Sequence, residues 1–203
     1  TIDDRAMRDG QWQTVMGTEI RNKTLGVIGL GRIGSEVAKV GNAFGMNVIA
    51  WSENMTAERA EECGTTLVSK DDLFRQSDYV VVMVIQSDRT IGLVGAHEIG
   101  LMKPNAYLVN PARGTIVDEA ALLEALKHNR IAGAGLDVYA EEPLPADHPF
   151  RGLPNTVLMP HVAGFTKEHY AHWYNGMLED VRSWLDGTVI NEIHGSGIVA
   201  ARV

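Results

Sequence analysis

The chain is short of cysteine, of aromatic rings and of positive charge, and each shortage narrows what it can be. One cysteine, Cys63, in 203 residues excludes an internal disulfide framework and suits a reducing, cytoplasmic compartment. Its neighbours Glu61 and Glu62 would raise rather than lower a thiol pKa, so it reads as a packing residue. Lysine and arginine number 18 against 26 aspartates and glutamates, a formal charge of −8, which argues against nucleic acid as a partner. No apolar run approaches the roughly 20 residues of a membrane span, so no membrane partner is expected. No basic, apolar, small-residue leader precedes the first pattern, and the chain starts at Thr1 rather than Met, from which a longer parent is expected. Internal repeats, low-complexity tracts and two-residue hairpin turns between apolar runs are also missing. His169 and His172 lie three apart without the cysteines or acids that would complete a metal site, so no metal is expected.

What is present centres on Leu25 to Glu53. Leu25, Val27, Ile28 and Leu30 form an apolar strand, Gly29, Gly31 and Gly34 follow in G-x-G-x-x-G spacing, and Ile33, Val37, Ala38, Val40 and Phe44 recur at helical intervals. Val48 to Trp51 then reads as a second buried strand, ending in Ser52 and Glu53. A dinucleotide pyrophosphate needs this order of parts. Gly29 permits a tight turn, Gly31 admits phosphate, Gly34 packs helix on strand, and the helix N-terminus offers its amides to the anion. Glu53 stands where an acid would take ribose hydroxyls.

Further strands are expected at Tyr79 to Ile85, Tyr107 to Val109, Gly135 to Tyr139 and Val157 to Met159. Runs such as YVVVMVI are apolar at every position, which indicates strands covered on both faces. The expected fold is therefore α/β, a Rossmann-like doubly wound parallel sheet with helices on both faces. Thr56, Ser69, Asp118 and Thr166 each precede a helical segment as candidate N-caps. The last of these helices carries Tyr170, Trp173, Tyr174, Met177, Leu178, Val181, Trp184 and Leu185 as one apolar stripe at spacings of three and four. The organisation reads as a connector over 1–22, a dinucleotide-binding domain over 23–165, a long helix over 166–186 and a tail over 187–203.

In an open parallel sheet ligands gather at the carboxyl ends of the strands. Three such ends carry polar groups: Arg113 in PARG, Glu141 and Glu142 before Pro143, and His161 after TVLMP. Singly, each has an ordinary reading as a solvated loop residue; in sequence they put a guanidinium, a carboxylate and an imidazole at one edge. His148, in a PADHP turn, reads as a loop residue.

The segments GVIGLGRIG, LMKPNAYLVNPARGTIVDEAALLEAL, IAGAGLDVYAEEPLP and LMPHVAG resemble, in this order, the cofactor-binding part of the D-isomer-specific 2-hydroxyacid dehydrogenases. The resemblance covers most of Leu25 to Phe165. It implies hydride transfer between a nicotinamide cofactor and a small 2-oxo or 2-hydroxy acid, with Arg113, Glu142 and His161 as the catalytic set. It also implies a cofactor site made of Gly29, Gly31, Arg32, Ile33, Gly34, Ser52, Glu53, Asn110, Ala112, Asp137 and Gly164, and a homodimer formed through the cofactor domains. The chain departs from the family in three places. Ser52 stands where many members carry Asp, with the acid one place later, so NAD is expected and NADP is possible beside Asn54 and Arg59. Met83 and Ile85 replace a polar residue and a proline. Most of the N-terminal substrate domain is absent, which leaves activity of this chain doubtful. The alternatives are a regulatory module that binds NAD(H) and an inactive truncated product.

Overall fold

The computed structural model describes residues 2–191; the end of the tail, 192–203, lies outside the described residues. Seven strands, β1 (Thr24–Ile28), β2 (Asn47–Trp51), β3 (Thr66–Leu67), β4 (Tyr79–Val82), β5 (Tyr107–Asn110), β6 (Gly133–Leu136) and β7 (Thr156–Leu158), form one sheet in the order β3-β2-β1-β4-β5-β6-β7. Every pairing is parallel. Among the described residues seven α-helices accompany them: α1 (Ile2–Arg8), α2 (Arg32–Ala43), α3 (Ala57–Glu62), α4 (Lys70–Gln76), α5 (Ala96–Leu101), α6 (Glu119–Lys127) and α7 (Lys167–Leu185). The strand order reverses between β1 and β4, which opens a crevice at their carboxyl ends.

The continuous apolar runs are explained by the sheet's two covered faces. Val27 and Val81 belong to one buried cluster, whereas their neighbours Ile28, Val80 and Val82 belong to the other. Successive side chains of a strand point to opposite faces, so both clusters draw on the same strands. Cys63 is buried in the first of these clusters, as a packing residue should be.

The expected caps are made by the expected atoms. The side chains of Thr56, Ser69, Asp118 and Thr166 accept the amides of Arg59, Asp72, Ala121 and His169, so each ties down one of the amides a helix start leaves unpaired. Strand limits shift. β4 ends at Val82 instead of Ile85, because its neighbour β1 ends at Ile28, where Gly29 (φ 95°) turns the chain away; the Met83 amide makes the last ladder bond, to Ile28 at 2.8 Å. β6 starts at Gly133 and stops before Asp137, and β7 runs from Thr156 to Leu158. The two-residue β3 and the six-residue α5 carry too little periodicity to be read from sequence.

The chain divides into two compact units, one up to Pro160 and one from His161 onward. In the second unit none of the residues of α7 is buried, and Trp173, Tyr174, Met177, Leu178, Val181, Trp184 and Leu185 are all exposed. Its ring contacts are local, as between Phe165 and Tyr170 with centroids 4.9 Å apart. Among the described residues no helix is long and apolar enough to cross a membrane.

At the amino edge of the sheet Asp78 joins three segments. Its carboxylate accepts the Thr24 amide at 2.8 Å and pairs with Lys103 at 2.9 Å, with its side chain 13% exposed. Burial pushes its pKa up, but the Thr24 amide and Lys103 outweigh burial and hold the carboxyl below its ordinary value. A carboxyl lowered on folding contributes stability at pH values above its unfolded pKa of about 3.9 and loses it as pH falls through the lower folded value. Asp78→Asn should therefore cost about 1 to 3 kcal/mol at pH 7. Urea midpoints of the two proteins should converge only below about pH 3.9.

Candidate functional site

The first turn after β1 is shaped by two glycines for different reasons. Gly29 adopts φ 95°, and a Cβ there would lie 2.8 Å from the Val84 side chain. Gly34, in the first turn of α2, packs so closely on the strand end that a Cβ would lie 2.0 Å from the Gly29 carbonyl oxygen. Neither position accepts a side chain. Gly31 is different, since its φ is −71° and a Cβ would meet nothing within 4 Å. Nothing in the protein requires glycine there, and the open space lies at the N-cap of α2. No side chain caps that helix, and no acid occupies its first turn. Instead Arg32 opens it, a cation where the helix dipole disfavours one. An approaching anion reconciles all of these features. Ile33, next along, is exposed despite being apolar.

Beside this turn lies a cleft of about 950 Å³ lined by Gly29, Gly31, Trp51, Ser52, Glu53 and Arg59, among others. That volume lies within the range of ligand and cofactor pockets. Glu53 is exposed at the end of β2. Arg59, from α3, donates to the Leu30 carbonyl at 3.2 Å and pairs with Glu62 at 3.2 Å, so its guanidinium is tied to the glycine turn and to its own helix. Across the cleft Ile85 is 88% exposed, an apolar surface offered to the opening.

Arg113 and Glu142 follow β5 and β6. The Asn110 side chain, 1% exposed, shapes the first loop: its Nδ2 donates to the Arg113 carbonyl at 2.9 Å and its Oδ1 accepts the Ala112 amide at 3.1 Å. Gly114 packs on the second loop so tightly that a Cβ would lie 1.9 Å from the Tyr139 carbonyl carbon. The two loops are therefore in backbone contact. Glu142 Oε1 accepts the Tyr139 amide at 2.9 Å, and the Tyr139 hydroxyl reaches the carbonyls of Leu136 (3.2 Å) and Met159 (2.9 Å), linking the ends of β6 and β7. Asp137 is buried just past β6, its amide on the Asn110 carbonyl at 3.1 Å. Arg113 donates from Nη1 to the Ala112 carbonyl at 2.6 Å. Since β1 and β5 flank β4, the glycine turn and the Arg113 loop share one edge, two strand spacings or about 10 Å apart.

His161 opens the second unit three residues after β7, with φ 56°, a conformation uncommon outside glycine and frequent at functional sites. Gly164 lies in the same unit, against the His169 ring. Sequence reasoning passed over Tyr139, whose hydroxyl bonds have no local signature, and Trp51 and Ile85 as cleft walls. His148 is a loop residue, as expected, and its side chain caps the 3-10 turn Pro149–Gly152 and bonds Glu119, contacts that sequence reasoning did not foresee. Among the described residues no group of three or more His, Cys, Asp or Glu is placed to hold a metal.

Residues 2–163 match the family model described as D-isomer specific 2-hydroxyacid dehydrogenase, NAD binding domain. The D-3-phosphoglycerate dehydrogenase of Archaeoglobus fulgidus is 48% identical over 167 residues, 81% of this chain and 32% of the relative. The glyoxylate reductase of Aeropyrum pernix is 39% identical over 208 residues, 98% of this chain and 62% of the relative. A solved acyclic imino acid reductase, in complex with NADPH and D-Arg, superposes with a TM-score of 0.81 at 34% identity, covering 95% of this chain and 62% of that one. The chain thus spans between about a third and three fifths of the length of these relatives.

The two kinds of glycine make separable predictions. Gly34→Ala should lower thermal stability by several degrees, because backbone must move to admit the methyl group. Gly31→Val should melt close to the parent yet lose roughly ten-fold or more in NADH affinity, read by fluorescence titration. Equal losses of stability in both variants would refute this division.

Proposed function

Because the chain belongs to the D-isomer-specific 2-hydroxyacid dehydrogenase family through its NAD-binding domain, we propose that it binds NAD(H) in the cleft between the glycine turn and Glu53 and serves the interconversion of a small 2-oxo acid and its D-2-hydroxy acid. The observation that carries the reading is Gly31, whose lack of a side chain serves no packing need within the protein and leaves room for a pyrophosphate. The amides at the start of α2 and Arg32 would hold the diphosphate, with Ile33 beside it. Ser52 and Glu53 would take ribose hydroxyls, and Asn110, Ala112 and Asp137 would line the nicotinamide end; Gly164 is assigned to the cofactor by the family resemblance alone. The bound cofactor supplies a hydride.

The remaining chemistry belongs to side chains. Arg113 has a planar fork of donors that can grip a carboxylate and polarise the adjacent ketone. His161 can deliver a proton to the oxygen as charge develops there, imidazole being the side chain most often used for such transfers. Glu142 would serve to orient that ring. In the reverse direction the histidine is the base.

The preference is NAD over NADP. Glu53 would repel a 2′-phosphate, and Arg59, on the cleft wall, is engaged by Leu30 and Glu62. A reducing cytoplasmic setting and a homodimer through the cofactor domains complete the proposal, the exposed stripe of α7 supporting association.

Titration with NADH should quench Trp51 emission and transfer energy to the nicotinamide; no binding would sink the cofactor reading. Assays with glyoxylate, hydroxypyruvate and pyruvate then separate an enzyme from a module that binds without turnover. His161→Gln should lower any turnover by about 10²- to 10⁴-fold, with NADH affinity held within about two-fold. Glu53→Gln should raise NADPH affinity by about ten-fold while weakening NADH. Light scattering should return twice the 22.2 kDa chain mass, and a single-chain mass would refute the dimer.

A further inference from the structure

The loop that carries Glu142 is held from behind by two side chains outside the set above. Glu119 is the first residue of α6, fixed there by the Asp118 cap. Its Oε1 receives His148 Nε2 at 3.0 Å and its Oε2 receives the Ala140 amide at 3.3 Å. Both side chains are shielded, Glu119 at 29% exposure and His148 at 16%. The other ring nitrogen, Nδ1, accepts the Phe150 amide at 3.3 Å, so the ring's proton sits on Nε2 and is donated to Glu119. One carboxylate thus clamps a single loop at two points, Ala140 and His148. Arg151, three residues past His148, closes the loop on itself, donating to the carbonyls of Leu144 and Pro145 at 2.8 Å each.

The clamp meets Glu142 through the backbone. The Tyr139 amide ends on Glu142 and the next amide, Ala140, ends on Glu119, so two consecutive N–H groups are fixed by two carboxylates. Gly114 closes the other side of the same two residues, its absent Cβ making room for the Tyr139 carbonyl and the Ala140 nitrogen. Releasing Ala140 would free the chain to rotate at Tyr139, the residue that anchors the Glu142 carboxylate.

We propose that Glu119, braced by His148, is a positioning residue for Glu142: it sets where that carboxylate, assigned above to the catalytic set, is presented, without touching substrate or cofactor. The inference rests on the reading of Glu142 given above, and its test is independent of turnover. In the isotope-labelled chain, Glu119→Ala should speed hydrogen exchange at the Tyr139 and Ala140 amides by about ten-fold, the scale of one lost charge-assisted hydrogen bond. It should also move the side-chain carboxyl ¹³C resonance of Glu142. Exchange at Leu108 and Leu136 in the sheet, and the Glu53 carboxyl resonance, should hold. Glu119→Gln keeps an oxygen for the Ala140 amide and should restore both readouts most of the way. Unchanged exchange at Tyr139 and Ala140 overturns the proposal, as does faster exchange with the Glu142 resonance unmoved. If Glu119→Ala does not fold, His148→Ala decides by the same readouts, with smaller changes expected and their absence again overturning it. Failure to bind NADH or to turn over would remove the dehydrogenase reading and leave this measurement intact.

Discussion

The approach of Gly34 to the carbonyl of Gly29 is the constraint on which the architecture of the site turns. A Cβ at Gly34 would stand 2.0 Å from that oxygen, so the first turn of α2 lies against the end of β1 with no side chain between. That proximity aims the start of α2 along the carboxyl edge of the sheet instead of out into solvent. It also leaves the intervening Gly31 at the mouth of the crevice created where strand order reverses. A larger residue at Gly34 would separate helix from strand and tilt the helix amides away from the place where an anion must sit.

The two edges of the sheet are built to different standards. At the amino edge, polar groups are paired among themselves: Asp78 holds the Thr24 amide and Lys103, and the rings of Tyr79 and Tyr107 stack with centroids 5.7 Å apart. At the carboxyl edge, local rules are broken. Arg32 begins a helix, and Ile33 and Ile85 expose apolar surface. None of these choices stabilises the chain, and each is costly or neutral alone. Their concentration along one edge is what a ligand site looks like before its ligand is considered.

How much of this was legible in the sequence depended on the range of the interaction. The glycine turn, the parallel sheet and four helix caps could be read because each is encoded within a few residues, by a fixed spacing, a continuous apolar run or a polar residue before a helical pattern. Strand ends were misplaced for β4 and β6 because they are set by neighbours: β4 stops where β1 turns away at Gly29, a fact located more than 50 residues earlier. Arg113 and Glu142 were identified by their place after strands, yet their loops are joined by Gly114 against Tyr139 and by the Asn110 side chain. His148 was read as a loop residue and is one, but its bond to Glu119 was not legible, since the partner lies 29 residues away and only the fold brings them together.

The loops at the carboxyl edge are fixed chiefly through their backbones, and this has a chemical consequence. Asn110 shapes the Arg113 loop through a carbonyl and an amide, Glu119 holds the next loop through an amide, and Tyr139 ties β6 to β7 through two carbonyls. A frame made this way fixes the Cα positions of Arg113 and Glu142 without burying the Arg113 guanidinium, whose bond to the Ala112 carbonyl is exposed. An exposed hydrogen bond of that kind is worth little against water and is readily exchanged for a carboxylate. Rigid backbone with an exchangeable side-chain contact lets a cation meet an incoming anion without first breaking a buried ion pair, which would cost several kcal/mol. The same division explains why the buried members of the frame, such as Asn110, are neutral, while the groups assigned to chemistry are the charged ones.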